Sequence, residues 1–318
     1  MSRIGLLAVL LALVAAMWAA SFASRRLETV AAGVAPLEPR RFERLSVVTA
    51  GTGGTFENHL RLGPAVAVGL EQTVVLVDAG RAVAQALRRA EIPVTQPRVV
   101  LLTSLLPENV LGLDDWWVAG ATSGAGDAVR VVGPPGTRAL ADALRAAHAA
   151  GAAAEAASFG RSAPPALEAV EAGDGFTLAL GPLSLRAAEL RGGPTPALAW
   201  RIEGAGAAAV VSSAGWDPDG LLAAAKGADL WVHEALYGAS LQAALDAGIE
   251  GVDALAREAA LHTRLEDVGA LATRAGVRRL VLVRLRPPPV YGFQYRRVAA
   301  PSFRGRIEIA ADGDLFTL

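Results

Sequence analysis

Val74-Val75-Leu76-Val77-Asp78-Ala79-Gly80, followed by Val99-Val100-Leu101-Leu102-Thr103-Ser104-Leu105-Leu106-Pro107-Glu108-Asn109, are the stretches whose reading decides the fold. Each opens as a short aliphatic and β-branched run and then breaks into polar or turn-forming residues, the pattern of a buried strand. Between them Val83, Ala86, Leu87 and Ala90 keep helical spacing, with Arg88 and Arg89 outside. The alternation extends outward. Leu45–Ala50 and Ala65–Val68 read as strands upstream. Downstream come a helix carrying Leu113, Trp116 and Trp117, a strand at Val129–Val132 and a helix over Thr137–Ala150. A Gly/Ala/Pro-rich surface excursion is expected near 151–165, then strands near 175–180, 183–190, 197–202 and 207–212. The last third predicts a strand at 229–232, helices at 237–246, 253–260 and 265–275, and strands at 279–284, 305–309 and 314–317. Gly51-Thr52-Gly53-Gly54 is not a phosphate loop. Such a loop needs a helix directly behind it, and here the next element is a strand.

Composition narrows the function classes. With 53% hydrophobic and 19% charged residues in 318, the chain can bury enough surface to fold. A formal net charge of −1 and no basic stripe argue against nucleic acid as a partner. No cysteine is present, which excludes disulfides, thiolate zinc sites and cysteine nucleophiles. Only four histidines remain, His59, His148, His233 and His262, of which His59 reads as loop and His148 as exposed helix. Ile4 to Ala23 runs uncharged for twenty residues behind Arg3, long enough to span a bilayer. Ser21-Phe22-Ala23 also suits signal peptidase. Residues 1–23 are therefore expected to be a signal peptide or membrane anchor, with cleavage and retention both open. Residues 24–43, with Pro36 and Pro39, read as a linker, and 44–318 as the folded domain. The expected location is the cell envelope, either extracytoplasmic or anchored in the inner membrane.

Thr52-Gly53-Gly54, Arg61-x-Gly63-Pro64, Leu76–Gly80 and Leu101-Leu102-Thr103 stand in the order found in metallo-β-lactamase-fold hydrolases. Ala225–Leu230 leading into Val232-His233-Glu234-Ala235, His262-Thr263 before Glu266-Asp267-Val268, and Ala275-Gly276-Val277 before Leu280-Val281-Leu282 extend the match. Over residues 45–318 the chain most resembles the ribonuclease Z and arylsulfatase-like branch. The resemblance implies an α/β (α+β) αββα sandwich, two mixed sheets flanked by helices, here preceded by the apolar terminal helix.

It also implies a zinc centre, for which the family's loop after the Leu-Leu-Thr strand normally reads His-x-His-x-Asp-His. Imidazoles and a carboxylate hold the ion and leave a position for a nucleophilic water. In this chain Ser104, Leu106 and Asn109 occupy the histidine positions and Glu108 the aspartate position. Glu189–Pro194 lacks the mid-chain histidine, Ala214 stands at the bridging aspartate with Asp217 three residues on, and Arg284 replaces the last histidine. No metal and no cofactor are expected.

His262 survives. Its family counterpart binds or protonates the scissile group, and a hydrogen-bonding role at a helix start is the alternative. His262, Glu234 and Glu108 are the candidate acid–base residues, and an oxygen-rich pocket from Glu108, Asp114, Asp115, Glu234 and His262 is a further expectation. Arg284, with Asn109 and Ser104, is the candidate ligand-binding set, as an anion pocket beside the Arg284–Arg297 loop; a solvated surface loop is the alternative. If buried, Arg284 needs an acidic partner, and Glu108 or Glu234 is expected. Trp116-Trp117 reads as core packing or a ligand platform. Three functions follow: a non-catalytic binding or scaffold module of the envelope, a hydrolase of esters, phosphodiesters or sulfate esters with an atypical site, or a structural partner in an envelope complex. An unknown small molecule or an envelope protein is the expected partner, with membrane contact through residues 4–23 if uncleaved and a homodimer left open.

Overall fold

A computed structural model describes residues 3–54, 60–124, 126–160, 164–249 and 252–318. His59 lies outside them. The chain divides into two units, Met1–Leu37 and Glu38–Leu318. The first is helix α1 (Arg3–Val34), which continues through residues 24–34 where a linker is expected. Its Leu10–Glu28 segment is long and apolar enough to cross a membrane by length and composition. No charged or proline residue before Pro36 interrupts the helix more than Arg25, Arg26 and Glu28 do, and all three are good helix formers.

The second unit is two seven-stranded sheets. Strands β1 (Phe42–Gly51), β2 (Ala65–Glu71), β3 (Thr73–Val77), β4 (Val99–Leu101), β5 (Val129–Gly133) and β6 (Leu167–Glu171) follow one another across the first sheet, and β14 (Asp314–Thr317) joins its β1 edge. The second sheet takes β7 (Thr177–Leu180), β8 (Leu183–Leu190), β9 (Ala197–Gly204), β10 (Ala207–Val211), β11 (Leu230–Leu236), β12 (Arg279–Arg286) and β13 (Arg306–Ile309) in sequential order. Both sheets are mixed: β3 to β6 and β10 to β13 run parallel, and the remaining pairs antiparallel. Inward residues such as Val47, Val77, Leu101, Trp200, Val232 and Val281 form the core between the sheets. Outward residues pack beneath helices, which is why these strands read as continuous apolar runs rather than alternating ones.

Helices α2 (Val83–Arg89), α4 (Leu113–Thr122) and α5 (Thr137–Phe159) cover the first sheet, and the short α3 (Pro107–Val110) lies in the loop before α4. Helices α6 (Pro218–Ala225), α9 (Leu265–Ala275) and α10 (Gly292–Ala299) cover the second, while α7 (Gly238–Asp246) and α8 (Val252–Ala259) pack on each other. The αββα sandwich is as expected. Several elements differ. α5 runs on to Phe159, because its alanines outweigh the roughly 1 kcal/mol cost of Gly151. β6 adds a parallel edge strand. α6 begins on the Asp217 cap with Pro218 at its first turn. α10 lies within the segment read as a rigid loop, burying Tyr295 and Ala299.

The parallel direction sets the site. β3, β4, β10, β11 and β12 all end at one rim, which places Asp78, Thr103, Ser212 and Ser213, Glu234, and Arg284 with Arg286 together. Two contacts stitch the sheets here: Trp200 Nε1 donates to the Leu102 carbonyl at 3.0 Å, and the Leu198 amide to the Thr103 carbonyl at 2.7 Å.

Candidate functional site

At this rim two arginines lie buried among three carboxylates. Arg284, 2% exposed, donates through Nη2 to Asp78 and through Nη1 to the Asn109 amide oxygen, with Glu108 at 3.7 Å. Arg286 donates to Glu108 Oε2 at 2.7 Å, and its Nη1 lies 3.8 Å from Glu234. Glu234 in turn approaches His262 Nδ1 at 2.9 Å and accepts from the Thr263 amide at 2.9 Å. Asp78 also accepts from the Thr103 amide and hydroxyl, at 2.8 and 2.8–3.0 Å, and Thr103 Oγ1 meets Ser213 Oγ at 2.5 Å. The Asn109 amide nitrogen donates to Ser104 Oγ at 2.7 Å.

The backbone is committed to this arrangement. Asp78 and Arg284 both take left-handed conformations, φ 59° and 51°. Aspartate tolerates this region, but for arginine it is strained by roughly 1–3 kcal/mol, and the surroundings must hold it there. The Arg284 amide donates to the Thr52 carbonyl at 2.8 Å, so the Thr52-Gly53-Gly54 turn clamps the strained residue.

Next to the lattice, strand alternation on β11 turns Glu234 toward it and His233 toward the helices. His233 stacks on Trp231 and bonds Ser212 at 2.8 Å and Thr263 at 2.7 Å. Burial lowers its pKa to about 4. Burial also pushes the Glu234 carboxyl up, but the charge of His262, its hydrogen bond, and the nearby His233 and Arg286 outweigh it and hold Glu234 below the usual carboxylate range. Burial raises Asp78, against the opposing pull of Arg284 and the Thr103 bonds.

No family model matches the chain. Ribonuclease Z of Mycolicibacterium paratuberculosis is 30% identical over 287 residues, which span 84% of this chain and 96% of that one. The chain belongs to the ribonuclease Z family. Among solved structures, human tRNase Z short form superposes with a TM-score of 0.62 at 15% identity, covering 86% of this chain and 98% of that one. The metallo-β-lactamase fold protein YhfI from Bacillus subtilis gives 0.65 at 18%, covering 86% and 98%, which shows the metallo-β-lactamase fold. Kinship with ribonuclease Z also corrects one expectation: the argument from net charge against a nucleic-acid partner does not stand.

Zinc does not fit the residues present. Among the described residues no group of three or more His, Asp or Glu side chains is placed to hold an ion. Asp78, Glu108 and Glu234 face the rim, but two guanidiniums already occupy their oxygens and would repel a dication. Several expectations need correcting. The acidic partner of Arg284 is chiefly Asp78; Glu108 is secondary, and Glu234 belongs to Arg286. Arg284 forms no open anion pocket, since its charge is taken internally. Asp114 and Asp115 lie outside any oxygen-rich cluster: Asp114 faces His148 at 3.3 Å and Asp115 accepts from the Ala84 amide. Asp217 does not rescue a metal ligand, because its carboxylate caps α6 and accepts from the Arg191 amide. Trp116 and Trp117 are core. His262, Glu234, Glu108, Asn109 and Ser104 do converge. Arg286 and Asp78 were not singled out; the left-handed backbone at Arg284 and the irregular pairing with β11 break simple strand alternation there, so spacing alone does not place either arginine.

Removing Arg284 leaves Asp78 buried without its cation, so Arg284→Ala is expected to destabilise by about 3–5 kcal/mol. Urea unfolding midpoints of variant and wild type measure this, and an unchanged midpoint would show the pair to be dispensable. His233 supplies a pH dependence. Its folded pKa lies below the ordinary 6.5, so the unfolded chain binds the extra proton, and stability should fall as pH drops from about 6.5 to about 4. The full effect is about 3 kcal/mol. Unfolding midpoints across that range should show the slope, and His233→Gln should flatten it.

Proposed function

We propose that this protein is an envelope-located member of the ribonuclease Z family in which an arginine–carboxylate lattice takes the place of the metal, and that it binds rather than hydrolyses. The burial of Arg284 between Asp78, Asn109 and Glu108 carries this reading. A water-activating cation must leave a coordination position open to water. A guanidinium held on several sides offers a fixed charge and no such position. Because the relatives are ribonucleases by name, RNA is one ligand to test alongside small phosphate and sulfate esters. A second reading, hydrolysis without metal, rests on the 2.9 Å contact between Glu234 and His262, which could pass a proton at His262 Nδ1.

The deciding experiment combines metal analysis of the full chain, purified in detergent, with incubation on a tRNA precursor, a phosphodiester, an ester and a sulfate ester. The expected result is less than one zinc per chain, a melting temperature that chelator leaves unchanged, and no turnover. Binding of an uncut substrate would support the module reading. One tightly held ion per chain with turnover would replace it. Turnover without metal that is lost in His262→Ala would establish the second reading.

Export is part of the same proposal and rests on the uncharged Ile4–Ala23 run behind Arg3. A fusion of residues 1–30 to alkaline phosphatase should be active. An inactive fusion retained in the cytosol would overturn export.

A further inference from the structure

A cavity of about 540 Å³ opens at the opposite end of the sandwich, where β11, β12 and β13 begin. Arg279 at the head of β12 and Arg306 at the head of β13 are register partners, so their side chains share one face of the sheet. That face is the inner one, because Val281 and Val283 on the same alternation belong to the core between the sheets. Arg279 lies over the Phe316 ring of the opposite sheet at 5.9 Å. A cation–π contact of this kind anchors a guanidinium without consuming its N–H donors, which can receive a phosphate or carboxylate bidentately. By strand rise, Arg279 sits roughly 17 Å from Arg284 on the same strand, so this is a different place from the lattice.

The charge balance is one-sided. Arg44 and Arg278 also line the cavity, which makes four guanidiniums. The facing carboxylate is Asp229, and it is already engaged, by Arg278 at 2.8 Å and by the Ala208 amide at 3.0 Å. Arg306 reaches Glu308 only at 3.9 Å, and Glu308 is shared with Arg296. Among the described residues Arg44 and Arg279 have no carboxylate within ion-pair distance. Even with a carboxylate on Leu318, which borders the cavity, the balance stays positive. A concentration of cations in a concave site raises the local potential for anions, against a whole-chain formal charge of −1. The volume falls within the range of small-molecule sites, roughly 300–1,000 Å³, and exceeds what a lone inorganic anion needs.

We propose that this cavity binds a phosphate ester, held by Arg279 and Arg306 with Arg44 and Arg278 at the mouth. The proposal is independent of the lattice reading, since none of its residues takes part there. The ester can be a free metabolite or the head group of an anionic lipid, and the chemistry of recognition is the same.

The test titrates the full chain in neutral detergent with glycerol 3-phosphate, with pyrophosphate, and with the same detergent doped with phosphatidylglycerol, following heat of binding and melting temperature. Saturable binding that weakens at least tenfold in Arg279→Gln/Arg306→Gln is expected, while Arg284→Ala, if folded, binds as wild type does. Binding of the free phosphates assigns a soluble ligand, and binding of phosphatidylglycerol alone assigns a head group. Arg44→Gln/Arg278→Gln, at exposed positions, serves if the first variant fails to fold. No saturable binding of any probe, or binding that both double variants leave unchanged, overturns the proposal.

Discussion

The buried ion pair between Arg284 and Asp78 constrains everything around it. Taking a guanidinium and a carboxylate out of water costs several kcal/mol per ion, and their attraction offsets this only when the remaining donors and acceptors are also satisfied. The surroundings supply those partners: Thr103 for Asp78, Asn109 for Arg284, and Glu108 reaching both arginines. The His262 imidazole lies 2.9 Å from Glu234 and, with His233 and Arg286, holds that buried carboxyl below the usual carboxylate range. The lattice is therefore one cooperative object, in which loss of one member leaves another buried charge unpaired.

Such an object can replace a metal because of where the strands end. A parallel sheet delivers its strand termini to one rim, and in the ribonuclease Z family that rim carries imidazoles and carboxylates around a dication. Here the carboxylates Asp78 and Glu108 remain at the rim while the cations are covalently part of β12. Cations permanently tied to the chain can hold two sheets together, and Arg284 of the second sheet does bridge to Asp78 of the first. They cannot exchange ligands, so they can link the sheets but offer no open coordination position to a water.

Much of this was legible in the sequence. The order of glycine turns, Leu76–Gly80 and Leu101-Leu102-Thr103 implied the sandwich, and Ser104, Leu106 and Asn109 could be read as standing where the resemblance places imidazoles. Arg284 could be read as a buried cation in need of a partner. Its partner was read as Glu108 or Glu234 rather than Asp78, because all three lie at strand ends or in rim loops and only side-chain reach separates them. Arg286 was missed for a related reason. Charged residues usually mark a strand's end, so β12 was read as ending at 284, whereas pairing with β11 continues it to 286. The end of α5 beyond Ala150 and the whole of α6 were hidden by composition, since alanine-rich segments with glycine look alike as loop and as helix until tertiary packing decides.

β12 carries arginines at both ends, and the contrast between them shows what context does to one side chain. At its C-terminal end the guanidiniums are enclosed, each with a carboxylate, and their charge is spent on holding the rim. At its N-terminal end Arg279 and Arg306 lie at an open cavity with fewer carboxylates than cations, and Phe316 rather than an acid orients Arg279. Burial is costly for an unpaired charge and cheap for a paired one, so only the open end can keep an excess of positive charge. By this argument, capacity for an anion in this chain lies at the Arg279 end of β12 rather than at the Arg284 rim.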